Sequence, residues 1–505
     1  LPASGQRAIA DAVDRAVHRA EPRALTLLRR LIATPSVTGG EGRHDDPGSV
    51  SGLLWSSLAH EAGIERRADQ VYPERDNVMA LVRGVGARVV VLDAHTDTVS
   101  SGNHADWVDG NPYSAADAEA IWMGDDRIRL VVGGRTVTER PVRRRLGRMW
   151  EARDRDRAAA IYGRGSFDNK GPVVVAWLAT VALAEALRTA GMRLAGALVC
   201  GFTIDEEAGM AGVRALAGGP GCWLDREGLL PPLPEGSGFR QRIWGVALDG
   251  SYGFVPVVGH RGIAQLLLTT RGQAAHAATP ELGVSAVTRM AAALHALDAN
   301  PAALTAALAP LFRDGLLDPP TVALGTSIVG GDVRSVTAET GDRRVVRGGI
   351  NVVADWCEAT IDIRHPRAAP GIDGDIRGRI ATTVAELSCK LTRLPEGALK
   401  VDVLGGGPPC AILASAADGP DDELVGPILR HGLELSGFEP WVETAPGGTD
   451  ATVMINEGRI RSIVEFGPAG AFAHEPHEFV ERDQIAVGAR ILARTIVDLI
   501  GVEPA

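Results

Sequence analysis

Residues 87–92 (ARVVVL) are a β-branched run with no polar face. Such a strand has to be covered on both sides, which is the setting of a central strand in a parallel sheet. Residues 172–190 read as an apolar helix, with Pro172 in its first turn and Gly191 as its stop. Residues 194–203 (LAGALVCGFT) are a second strand of the same buried kind. Strand, helix and strand in this order predict a doubly wound α/β sheet.

The rhythm then changes. Residues 263–270, 321–329, 351–363 and 399–404 read as strands, and 284–299 and 373–391 as helices. The order β-α-β-β-α-β predicts a split, ferredoxin-like domain. Residues 407–505 return to α/β texture and end in a helix at 484–499. The expected organisation is an α/β domain built from 1–257 and 407–505, interrupted by an inserted domain at 258–406. Two stretches read as surface insertions: 103–157, with the basic run RPVRRRLGR at 140–148, and the Gly/Pro-rich 217–243. The basic run reads as a solvated loop, with recognition of an acidic substrate or partner as the rival reading.

Composition removes other classes. A chain of 505 residues exceeds one compact core. With 45% hydrophobic and 23% charged residues, disorder is excluded as the dominant state. The glycines show no three-residue period and no heptads are sustained, which excludes collagen-like and coiled-coil chains. A net charge of -11 gives no global basic field toward nucleic acid or an acidic membrane. The longest apolar stretch, 172–184, falls short of the roughly 20 residues that span a bilayer. Cys200, Cys222, Cys357, Cys389 and Cys410 form no C-x-x-C pair, and read as reduced thiols of a cytoplasmic enzyme. The first 25 residues read as an amphipathic charged helix, not a signal peptide. Because the chain starts at Leu1 and not Met, a removed or mis-started N-terminus stays open.

The chemistry-bearing residues gather at predicted strand ends and loops. Asp93-Ala-His95-Thr-Asp97-Thr follows the first strand. There an imidazole can bind a metal while the carboxylate two residues on holds its other nitrogen; a polar turn is the plain alternative. Gly163-Arg-Gly-Ser-Phe-Asp168-Asn-Lys-Gly sets a carboxylate before a helix, where an N-cap would serve equally. The G-x-x-x-x-G-K-[ST] spacing of a phosphate loop is absent. Thr203-Ile-Asp205-Glu206-Glu207-Ala-Gly places three adjacent carboxylates at a strand end. That is costly unless cations or solvent neutralise them. Asp249 ends another apolar run, and Ala473-His474-Glu-Pro-His477-Glu lies near the end of the chain. Together His95, Asp168, Glu207, Asp249 and His474 can share two zinc ions if one carboxylate bridges.

As a set, D-A-H-T-D-T, G-R-G-S-F-D-N-K-G, D-E-E-A-G, G-G-T-D-A (Gly447 to Ala451) and A-H-E-P-H-E resemble one family. It is the di-zinc metallopeptidase and amidohydrolase family of carboxypeptidase G, acetylornithine deacetylase, succinyl-diaminopimelate desuccinylase and aminoacylase. The resemblance runs in order from residue 93 to 479. It implies a zinc-exopeptidase-like α/β catalytic domain with an inserted ferredoxin-like lid that usually dimerises. It implies that His95 and Asp249 bind one zinc, that Glu207 and His474 bind the other, and that Asp168 bridges. Asp97 is implied to orient His95, and Glu206 to be the general base. His276, in Gly272-Gln-Ala-Ala-His276-Ala, is implied to reach a partner subunit's site and stabilise the oxyanion. Asn351 and Arg364 match positions that bind the substrate's carboxylate or carbonyl, and Gly448 and Thr449 a substrate-side loop.

Zinc brings the pKa of bound water to roughly 7, a carboxylate such as Glu206 can move the proton, and the planar fork of Arg364 suits a carboxylate. The chain departs from the family at His477, where many relatives carry Asp or Asn, and at Asp249, where some branches use Glu. The gaps before Asp168 and Asp249 are long, and Glu227 and Glu235 are alternatives to Asp249. The expectation is a cytoplasmic, homodimeric hydrolase with two Zn2+ per chain, replaceable by Co2+ or Mn2+. It would cleave an amide or peptide bond beside a free carboxylate, in an N-acyl-amino acid or a dipeptide. Its rivals are a metal-free binding or regulatory homologue and an amide-forming enzyme on the same fold.

Overall fold

A computed structural model describes residues 3–153, 155–230, 243–313, 315–331, 333–337, 343–347, 350–372, 374–395 and 397–505. The chain divides into two compact units, Leu1–Gly259 with Ile412–Ala505, and His260–Ala411.

In the first unit the apolar runs become the centre of a mixed sheet. Arg88–His95 is buried from its second residue to its last, and Gly196–Thr203 throughout. They pair in parallel, with Asp93 opposite Gly201 and His95 opposite Thr203. Ile243–Leu248 runs parallel on the other side of Arg88–His95, and Arg461–Phe466 parallel to Ile243–Leu248. Arg75–Arg83 and Glu65–Tyr72 extend the sheet antiparallel beyond Gly196–Thr203. Val89, Val91 and Val199 pack with Leu216, Trp223 and Met454 on one face. The alternate residues Val90 and Leu92 turn to the opposite face, where Gly171–Ala190 and Gln484–Ile500 pack. Gly171–Ala190 stops at Gly191, whose φ of 64° a residue with a Cβ adopts only at a cost. By length and composition Ser166–Ala190 could cross a membrane, but most of it is buried inside the unit.

The segment read as a surface insertion at 103–157 holds a folded sheet. Asp117–Trp122, Arg127–Val132 and Arg135–Pro141 form an antiparallel meander, and Asp117–Trp122 also pairs with Arg157–Tyr162. Ile128, Leu130 and Val132 alternate inward, and Leu146, Met149 and Trp150 of helix Arg144–Ala152 are buried. The many intervening arginines hide this period-two pattern in the sequence. Glu235, in the other insertion, lies outside the described residues.

The second unit is a four-stranded antiparallel sheet in the order Thr321–Gly330, Trp356–His365, Gly262–Arg271, Leu399–Gly405. Helices Ala286–Asp298 and Ile376–Thr392 contribute to its core with Cys357, Ala359, Ile361 and Ile363. The strand expected at 351–363 starts instead at Trp356, because the inward alternation begins at Cys357 and Val352 is exposed. A further helix, Pro301–Leu308, buries Leu304 and Leu308; its alanine-rich sequence gave no periodic signal.

Candidate metal centre and active site

Parallel pairing brings the ends of four strands to one edge of the sheet, the usual place for a site in an open α/β fold. His95 ends the first strand, Glu206 and Glu207 follow the second, Asp249 follows the third, and Glu465 lies near the end of the fourth. Asp168 arrives on the turn before Gly171–Ala190, and His474 on the turn before Phe479–Glu481. Ligand atoms of His95, Asp168 and Asp249 lie within 4.8 Å of one another, and so do those of Asp168, Glu207 and His474. Asp168 belongs to both groups. One of its oxygens is 3.2 Å from His95 Nε2 and the other 3.1 Å from His474 Nε2, which is also 3.1 Å from Glu207.

His95 is 3% exposed. Its Nδ1 lies 3.1 Å from the Asp97 carbonyl oxygen and 3.4 Å from the Asp97 carboxylate. A carbonyl only accepts, so Nδ1 carries a proton, which leaves Nε2 as the nitrogen that would offer its lone pair to a metal. Nε2 is buried and, among the described residues, has no well-aligned hydrogen bond, with the Asp168 oxygen 3.2 Å away. The closest partner of Nδ1 is thus the Asp97 backbone, and the carboxylate serves other donors. It accepts the Thr38 hydroxyl at 2.8 Å and the backbone N–H groups of Glu206 at 3.0 Å and Glu207 at 3.1 Å. Asp97 therefore sets the ring and the acidic turn together.

The electrostatics are those of a site built for cations. Burial works against the charged form of His95, yet Asp168 and Asp97 hold its pKa well above the usual value. Hydrogen bonds to Asp168 and Glu207 lift His474 to about 10. Burial raises Asp168, but His474 and His95 outweigh it and the carboxyl ends below its ordinary range. Burial, then the surrounding carboxylates against His95, hold Glu206 well above its ordinary value; Asp249 is raised by burial and Asp168. Nitrogen and oxygen donors, from buried His95 to exposed His474, converge with excess negative charge, so the donor set fits divalent metal ions.

Several supporting residues carry no signal of their own in the sequence. Glu478 is buried against Arg164 at 2.5 Å and accepts backbone N–H groups from Gly165, Phe167 and Asp168 at 2.9–3.0 Å. It pins the turn that carries Asp168. Thr203 Oγ1 donates to Asp93 at 2.9 Å and lies 3.4 Å from Asp450, behind the acidic turn. Burial lifts Asp93 to about 6. Non-glycine residues with left-handed backbone cluster here, at Asp205 (φ 71°), Phe472 (68°), His474 (64°) and His477 (71°). Such strain commonly gathers at functional sites.

A cavity of about 550 Å³ opens over Asp168, Asp249 and His474, with Gly448 and Thr449 in its wall. Glu227 instead pairs with Arg83 at 2.8 Å. His276, Asn351 and Arg364 belong to the second unit. His276 and Asn351 are exposed neighbours, joined through the His276–Val352 bridge and the bond from Ala277 N–H to the Asn351 carbonyl at 2.8 Å. Arg364 is apart from them, near the far end of Trp356–His365, and donates to Asp362 at 2.6 Å.

Comparison with known proteins agrees with this geometry. A profile described as Peptidase family M20/M25/M40 matches residues 144–498. A protein named succinyl-diaminopimelate desuccinylase from Paracoccus denitrificans is 26% identical over 93% of this chain and 96% of its own length. A probable carboxypeptidase from Aspergillus terreus is 34% identical over 28% of each chain. In fold, the chain is similar to a tripeptidase from Staphylococcus aureus (TM-score 0.57, 18% identity, 95% and 98% of the two chains). It is also similar to human carnosine dipeptidase 1 (TM-score 0.54, 14% identity, 97% and 99%).

Proposed function

The chain belongs to peptidase family M20/M25/M40 and is a hydrolytic enzyme, and from that premise we propose that it is a two-zinc amidohydrolase. In this reading it cleaves an amide or peptide bond beside a free carboxylate, in an N-acyl-amino acid or a dipeptide. The observation that carries the reading is Asp168, shared between two groups of metal-binding side chains while the adjacent Glu206 stays outside both.

His95 and Asp249 would hold one ion, Glu207 and His474 the other, and Asp168 both; Co2+ or Mn2+ would substitute. Bound there, the ions would polarise the scissile carbonyl and make a water acidic enough to attack at neutral pH. Glu206 takes the proton of that water and delivers it to the leaving amine. Burial and the neighbouring carboxylates, which raise its pKa, suit a group that must both accept and return a proton. Asp97 keeps the protonated nitrogen of His95 turned away from the centre. Arg364 binds the substrate's carboxylate or carbonyl and Gly448 and Thr449 line its path, while Asn351 and His276, neighbours at the other end of the second unit's sheet, reach the substrate of a partner subunit, where His276 donates to the developing oxyanion. The protein acts as a homodimer in the cytoplasm; its free cysteines are in keeping with a reducing compartment.

The test is a hydrolysis screen over N-acyl-amino acids and dipeptides with zinc, cobalt or manganese supplied. Release of the amine from at least one class, abolished by chelator, is the expected result. Metal-loaded protein that hydrolyses neither class overturns the reading.

A further inference from the structure

Consecutive backbone N–H groups at residues 204–207 are bound by side chains and not by a neighbouring strand. Ile204 donates to Asn77 at 3.1 Å, Asp205 to Glu41 at 3.2 Å, and Glu206 and Glu207 to Asp97 at 3.0 and 3.1 Å. The turn that carries the candidate base therefore takes its shape from groups elsewhere in the chain. Asn77 lies on Arg75–Arg83, and Asp97 just follows Arg88–His95. Glu41 comes from outside the sheet, on the loop after helix Ala3–Ala33.

Glu41 is 0% exposed. It accepts the fork of Arg75, from Nε at 2.8 Å and Nη2 at 2.6 Å, and the Gly39 N–H at 2.9 Å. Arg75 Nη2 also donates to the Asp205 carboxylate at 2.9 Å, and the guanidinium lies 4.7 Å over the Tyr72 ring. Asp205 is thus gripped at its N–H by Glu41 and at its side chain by Arg75. It needs the grip, because a φ of 71° is costly for a residue with a Cβ. Asp205 is also the residue directly before Glu206. Relaxation of its backbone would rotate the next peptide and carry the Glu206 carboxyl with it. The segment that bears Glu41 touches the other two turns of the site as well. Thr38 donates its hydroxyl to Asp97 at 2.8 Å and its N–H to the Thr98 carbonyl at 3.0 Å. Lys170, two residues past Asp168, donates from Nζ to the Thr34 carbonyl at 2.8 Å.

We propose that Glu41, braced by Arg75, is a positioning residue for the general base. It fixes the peptide before Glu206, and so the direction in which the Glu206 carboxyl meets the attacking water. The inference deepens the amidohydrolase reading and rests on Glu206 being its base.

A double-mutant cycle tests this, with the metal-loaded enzyme and the N-acyl-amino acid or dipeptide that the hydrolysis screen finds. Glu41→Gln is nearly isosteric and leaves Arg75 its Asp205 partner. It should lower kcat on the order of 10- to 100-fold, the size that a displaced catalytic group gives, with KM and metal content near the native values. In a Glu206→Gln background the carboxamide moves no proton, so its direction has no bearing on rate. There Glu41→Gln should leave the residual kcat unchanged. Arg75→Lys keeps the charge but not the fork that joins two carboxylates. It should reproduce the pattern, and decides the matter if Glu41→Gln does not fold. A readout without turnover is hydrogen–deuterium exchange of the metal-free protein. The peptide 203–210 should exchange faster in Glu41→Gln while helix Gly171–Ala190 stays protected. Equal losses of kcat in both backgrounds, a change confined to KM or metal content, or unaltered exchange at 203–210 overturns the positioning role and leaves the base reading standing. A Glu206→Gln enzyme as fast as the native one overturns the base reading, and this inference with it.

Discussion

His276 and Arg364 lie toward opposite ends of one antiparallel sheet. Gly262–Arg271 pairs with Trp356–His365 so that Arg271 faces Trp356 and Ile263 faces Arg364. The pairing continues past Trp356 to His276 and Val352. The eight steps from Trp356 to Arg364 alone span roughly 26 Å, longer than an N-acyl-amino acid. If both residues serve the reaction, they serve it in different copies of the chain. Co-expressed under two tags, Glu206→Gln and His276→Ala subunits should therefore form mixed dimers that regain activity. One site then carries both defects and the other neither, so recovery should approach half the native value per mixed dimer. Action within one chain leaves a defect in every site and gives no recovery.

Asp168 is shared by both ligand groups, so its loss should not resemble the loss of an outer ligand. Asp168→Asn is expected to reduce bound metal to well below one ion per chain. Asp249→Asn and Glu207→Gln should each weaken mainly one of two ions. Elemental analysis after dialysis measures this. Equal, partial losses in all three variants would contradict a bridging role.

The two adjacent glutamates should separate cleanly. Glu206→Gln should keep metal and lower kcat by at least ~10²-fold, the low end of general acid–base contributions. Glu207→Gln should lose affinity for metal and regain activity at high zinc. A Glu206→Gln enzyme that remains active, or that loses its metal, would reverse the assignment.

Arg164 and Glu478 form a buried pair, 2% and 0% exposed at their side chains. Glu478→Ala leaves the guanidinium without its carboxylate and frees three backbone N–H groups of the Asp168 turn. The expected cost is about 3–5 kcal/mol, as for other broken buried pairs. Arg164→Met with Glu478→Ala should recover part of it, giving a coupling energy in a double-mutant cycle of denaturant unfolding. Simple additivity would mean the pair contributes nothing specific.

Acid should weaken the second unit through His260. Burial lowers its pKa to about 4; the Arg261 carbonyl opposes that shift, while Arg364 and His365 add to it. Between pH 6.5 and 4 the unfolded chain binds the extra proton, so stability is full above 6.5 and falls as pH drops. The shift corresponds to roughly 3 kcal/mol. His260→Gln cannot charge, and should flatten the acid limb of thermal unfolding over that window. An unchanged limb would place the acid sensitivity elsewhere.

The α/β architecture was legible because a strand buried on both faces has to be apolar along its whole length, as Arg88–His95 and Gly196–Thr203 are. His95, Glu206, Glu207 and Asp249 stood out because each ends or follows an apolar run, whereas Asp168, on a Gly-rich turn, and His474 stood out only as part of the motif set. What stayed hidden depends on pairing in space. Glu478 sits inside the A-H-E-P-H-E motif, yet nothing in its neighbours says that its partners are Arg164 and the turn at 165–168. Asp93 and Asp450 are some 350 residues apart in the chain, yet their carboxyls meet beside the shared Thr203 hydroxyl. The start of Trp356–His365 was misplaced because Val352 and Val353 extend the β-branched run past the point where inward alternation stops.

The first unit is made of two pieces of chain with the whole of His260–Ala411 between them. On a ribosome this has a temporal consequence. His95, Asp168, Glu207 and Asp249 have all been synthesised about 220 residues before His474 appears. The strand Arg461–Phe466, which borders Ile243–Leu248, is equally late. At ~5–20 residues per second that interval is roughly 10–45 s. Throughout it the nascent polypeptide has an unfinished sheet edge and only one of its two ligand groups. Hydrolytic competence is thereby withheld until His474 and the strand Arg461–Phe466 have been made.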